Sequence, residues 1–169
     1  MIIGLNTSIK TKAKLPHNLF MLNLALFHLL MTPAVIALNV GIMGMLLPLL
    51  LSLSVMLYTC LQSRARDRHA HWFIHAHWQL ACRRYRLLLI SYALTLLLLC
   101  LGWLLSLSAN DPNMTLILQT VFIRISIMPV LIVVMVNFYL ESSAISLATN
   151  GEIPDQFVQE LSPDKNSED

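Results

Sequence analysis

Residues 62–86, QSRARDRHAHWFIHAHWQLACRRYR, decide the reading of this 169-residue chain. The stretch holds six arginines, four histidines and two tryptophans against one acid, Asp67. On either side charge almost vanishes. Residues 19–61 carry none, and residues 87–140 carry only Asp111 and Arg124. The uncharged run before the basic stretch is about twice the ~20 residues that one helical crossing needs. The chain is 57 % hydrophobic and 12 % charged, whereas a soluble domain is about 25 % charged. A soluble protein of this size has too little interior for that much apolar surface, so lipid is its expected solvent.

Working outward, the pattern predicts an all-α, polytopic membrane protein with four transmembrane helices arranged as two hairpins. A basic N-terminal segment (1–18) leads into spans 19–38 and 42–61, with Asn39, Val40 and Gly41 as the turn. Spans 87–107 and 115–140 follow the basic segment, and an acidic tail (141–169) ends the chain. The start, with Lys10, Lys12 and Lys14, has the basic flavour of a signal peptide. The apolar run behind it continues past Pro33 without a small-residue cleavage site, so it reads as a retained anchor. Pro33 and Pro48 fall inside spans one and two and predict kinks, and Pro129 lies within span four. In the tail, Gly151 and Pro163 bracket a short amphipathic helix at 154–161.

Orientation follows from arginine and lysine. Four spans put the N-terminal lysines and the 62–86 segment on one side, and both are basic, while the turns at 39–41 and 108–114 contain neither residue. The positive-inside rule then makes both termini cytoplasmic in a bacterial inner membrane. Tyr58, Tyr92 and Tyr139 fall near the inner face and Trp103 near the outer one, as interfacial aromatics should. The cysteines are Cys60, Cys82 and Cys100. Their odd number, and their absence from the outer turns, predict no structural disulfide.

The basic segment lacks glycine and proline and predicts a cytoplasmic amphipathic helix between spans two and three. Arg64, Arg66, Arg68, Trp72, Trp78, Arg83, Arg84 and Arg86 have the composition that lies at an anionic headgroup layer or docks a partner protein. On such a helix Asp67, His71 and His75 share a face, a set that could ligate a divalent metal. Anchoring to lipid accounts for more of the residues than metal binding does. The acidic tail lies on the same side and is expected to fold back onto this segment.

Inside the spans, polar residues are few. Arg124 lies about nine positions into span four, roughly 13 Å from the outer boundary at 1.5 Å per residue. A charge at that depth carries an insertion penalty of about 2.5–3.5 kcal/mol. Three solutions compete: snorkelling outward, pairing with a carboxylate or phosphate from outside the chain, or lining a path for an anionic solute. His28 in span one is at nearly the same depth. Asn23 and Asn137 form a second depth-matched pair that an interhelical hydrogen bond would satisfy, which would make spans one and four neighbours.

No glycine-rich phosphate loop, nucleophile elbow, HExxH or CxxC pattern is present. No enzyme, cofactor or nucleic-acid partner is expected. The expectation is a non-catalytic accessory or assembly subunit of a larger membrane complex. The alternative is an oligomeric small transporter or channel with Arg124 and His28 in its pathway.

Overall fold

A computed structural model describes residues 5–38, 41–65 and 71–161, and these are helical throughout apart from short connections, with no strand among them. Helix α1 (Thr7–Asn23) runs on through a π-helical stretch (Leu24–Met31) into α2 (Thr32–Ala37). Then come α3 (Gly41–Arg64), α4 (Trp72–Leu107), α5 (Pro112–Asn150) and the short α6 (Asp155–Leu161). Four helical stretches are long and apolar enough to cross a membrane: Thr7–Val35, Leu46–Arg64, Trp72–Leu107 and Pro112–Asn150. The turn residues Asn39 and Val40 lie outside the described residues.

Proline explains the π stretch. Pro33 has no N–H to donate and its ring crowds the preceding turn. Immediately before it the helix widens, and the Phe27 carbonyl accepts both the Thr32 N–H and, at 2.7 Å, the Thr32 hydroxyl. Hydroxyls elsewhere in the apolar helices are satisfied the same way. Thr59, Ser91 and Ser126 each donate to a carbonyl three or four residues earlier, so they add little polarity to the helix surface.

The chain divides into two compact units. The first comprises Met1–Arg83 and Phe138–Asp169, the second Arg84–Asn137. At 1.5 Å per residue, α4 with 36 residues and α5 with 39 are about 54 and 58 Å long, against a hydrocarbon layer of about 30 Å. The surplus belongs to the first unit. There Phe73, Ala76 and Leu80 of α4 meet Ala13 of α1, Ala144 and Ala148 of α5, Ile153 and Phe157 in one buried core. The alanines lie one turn apart on α5, and small side chains let helices approach closely. Also in this unit, α3 packs along α1, the π stretch and α2.

Gly151 sets the path of the tail. Its φ of 76° is the left-handed conformation that glycine adopts without strain. The Glu152 N–H reaches the Leu147 carbonyl at 2.8 Å, closing a Schellman-type cap on α5. The reversal delivers Ile153 and Phe157 to the core, and the Arg83 guanidinium lies 4.5 Å from the Phe157 ring centroid. The tail thus folds back onto the basic segment through an aromatic ring seated in an apolar core.

In the second unit, the two helices meet where Gly102 of α4 leaves room for Phe122 of α5. A Cβ on residue 102 would overlap the phenyl side chain. Nearby, Thr95 Oγ1 donates to the Ser126 carbonyl at 2.7 Å and Gln119 Nε2 donates to Ser106 Oγ at 3.4 Å.

Candidate functional site

The first unit buries a chain of three ionisable side chains. His17 lies near the end of the basic part of α1, where the lysines give way to apolar sequence. One of its ring nitrogens, Nδ1, is 2.6 Å from Glu141 Oε2, and the other, Nε2, is 2.9 Å from His77 Nδ1. All three residues are fully buried. The His17 and His77 rings stand edge to face at 87°, and the Phe73 ring closes on His77 at 4.6 Å. The arrangement ties α1, α4 and α5 together at one point.

Its chemistry follows from the two occupied nitrogens of His17. With the ring protonated, both N–H groups donate, one to the carboxylate and one to His77. With the ring neutral, Nδ1–H still donates to Glu141, and Nε2 accepts from His77. Either state satisfies His17. A buried pair such as His17–Glu141 earns its keep mainly as a fixed junction, because desolvation offsets much of the Coulomb attraction.

A disulfide joins Cys60, in the last turns of α3, to Cys82 on α4, with Cα atoms 5.1 Å apart. This corrects the expectation of no disulfide. The odd cysteine count is explained by Cys100, which stays free and exposed. The decisive fact is depth, since Cys60 closes one span and Cys82 precedes the next. Beside the bridge, the Tyr58 and Trp78 rings meet at 6.0 Å in a T-shaped contact.

The basic segment is embedded more deeply than its composition suggests. Phe73 to Trp78 are all buried, with Trp78 3 % exposed. Trp78 is therefore not a headgroup contact, because its ring packs against protein. Trp72 is half-buried against the apolar core. Arg64, Arg83 and Arg86 are exposed and Arg84 is half-buried, while Arg66 and Arg68 lie outside the described residues.

Of the expected metal set, only His71 and His75 fall among the described residues. His71 stands just before α4, and its Nδ1 accepts from the Phe73 N–H at 3.2 Å, as a helix cap. His75 Nε2 is bonded to Gln79 at 3.0 Å. Asp67 lies outside the described residues, and among those described no group of three ligating side chains is placed to hold a metal ion.

Arg124 is exposed on the surface of α5, in the middle of its apolar run, and makes no hydrogen bond or ion pair among the described residues. The nearby hydroxyls of Thr120 and Ser126 are both used on carbonyls of their own helix. His28 is half-buried and bonds to the backbone of Asn23. Asn23 and Asn137 are each fully buried, and their side-chain amides show no hydrogen bond among the described residues. Helices α1 and α5 do meet, through His17 and Glu141 and through Ala13, Ala144 and Ala148.

The sequence does not single out His17, His77 and Glu141 as a set. A signal for the first was present. Glu141 is the one acid at the boundary of span four, and His17 sits at the matching boundary of span one. Among known proteins, no family model, no curated protein and no solved structure matches this chain. The class that the helices define is that of a transmembrane protein.

Proposed function

We propose that this chain is a non-catalytic, multi-pass protein of a bacterial inner membrane, serving as an accessory or assembly subunit of a larger membrane complex. It crosses four times as two hairpins, with both termini and the basic segment in the cytoplasm. The contacts of α3 along α1 and α2, and of Gly102 with Phe122, support the hairpins. The positive-inside rule supports the orientation, since the outer turns carry no lysine or arginine. The disulfide argues the other way, because cytoplasmic thiols are kept reduced. Six arginines on that side weigh more, because charge acts during insertion and a cysteine pair can cycle between dithiol and disulfide afterwards.

One observation carries the accessory role: Arg124 is exposed in the middle of a span and has no partner among the described residues. A cation at such depth calls for a counter-charge, and the 87–140 stretch supplies only Asp111, at its outer turn. A second copy has the same deficit, which favours a different protein. A transport pathway through Arg124 and His28 would need the guanidinium to face an enclosed route, and in one copy it faces outward. Reconstitution of the purified chain into liposomes separates the two readings. The accessory role predicts no conductance or solute uptake, and a conducting homo-oligomer would overturn it.

A further inference from the structure

We propose that Ile117, Val121, Arg124, Met128, Leu131 and Met135 of α5 form a docking surface for a transmembrane helix of another protein, one that carries an aspartate or glutamate at mid-membrane depth. The proposal rests on the accessory-subunit reading and names that partner's chemistry. The six positions recur at the spacing of one helical face, and every one is exposed. The neighbour that α5 already has lies on the other side. Phe122 packs at Gly102 and Ser126 is buried. Arg124 is two residues, about 200° of helical turn, from each of them. Helix α4 therefore cannot cover it.

Charge selects the occupant. A purely apolar stripe would be content with lipid tails, but a guanidinium at the centre of this one is not. A carboxylate meets its planar fork with two parallel hydrogen bonds, and the pair strengthens once water is excluded. A second copy of this chain cannot provide that group at the right depth. Asp111 lies thirteen residues before Arg124, about 20 Å along the axis at 1.5 Å per residue. Glu141, on the other side, is buried against His17. Met128, one turn beyond the cation, and Met135, two turns further on, offer unbranched side chains that adapt to a partner's contour.

The test is photocrosslinking in native membranes, with benzoylphenylalanine placed at Val121, Met128 or Leu131, and at Leu97 of α4 as an exposed control. The expected result is one foreign polypeptide crosslinked from the stripe positions and not from Leu97. Its crosslinked peptide should map to an apolar segment containing an aspartate or glutamate. The adduct should fall by about tenfold or more in Arg124→Leu, the loss that follows from stranding a buried charge. Arg124→Glu combined with the partner's acid changed to arginine should restore it. A foreign subunit that co-purifies but crosslinks only from Leu97 would overturn the docking surface and leave the accessory role standing. So would a partner with no acid in its apolar segment, or a charge swap that fails to restore the adduct. Adducts with lipid or a second copy alone, with no foreign subunit co-purifying, would overturn both.

Discussion

At the scale of single residues, the molecule handles its two costliest groups in opposite ways. Glu141 is fully buried and met inside the chain by His17, while Arg124 is left exposed on α5. Removing one member of a buried pair strands the other, a loss of about 3–5 kcal/mol. Glu141→Ala should therefore lower unfolding stability in detergent by that order, measured by denaturant titration. Glu141→Gln should lose less, since it keeps an oxygen for the His17 N–H. The double change His17→Phe with Glu141→Leu should recover most of the loss, because an apolar pair carries no desolvation penalty. A double variant as unstable as Glu141→Ala would show that the site does more than join helices. Arg124 was legible from sequence because one charge in a long apolar run is visible without tertiary information. The junction was not, since its residues stand 60 and 124 positions apart and only the packed register brings them together.

At the scale of elements, two contacts fix how helices pair. Gly102 accepts Phe122 where a side chain would collide with it. Gly102→Leu should cost about 1–3 kcal/mol by overpacking, and adding Phe122→Ala should recover part of it, as a double-mutant cycle in detergent would measure. The Cys60–Cys82 bridge joins α3 to α4 across a sequence separation of 22. Closing a loop of that size is worth about 3 kcal/mol in the chain-entropy account. Purified protein should lose about that much stability on reduction, and Cys60→Ser should show no further loss with reductant. Alkylation of intact cells before lysis reads the compartment: a cytoplasmic pair should be trapped as two thiols. Helix existence was readable from hydropathy, but helix extent was not. Residues 72–86 of the basic segment begin α4, and Phe73 to Trp78 are buried there, because Phe73, Ala76 and Leu80 find a core on α1, α5 and the tail. That core has no local signature. The π stretch also escaped notice, since Pro33 announces a disturbance without saying how the backbone absorbs it.

At the scale of the whole molecule, four helices among the described residues are long and apolar enough to cross a membrane. The outer face of α5 offers one unsatisfied cation. The account's central claim is that a foreign carboxylate completes Arg124. The most direct test is gentle extraction of tagged wild type and Arg124→Leu from native membranes, followed by native mass and peptide identification of what travels with each. The account predicts a stoichiometric foreign membrane subunit with wild type, and its loss from a variant that still accumulates and folds. A lone monomer, a clean homo-oligomer, or a complex that the variant retains intact would contradict it.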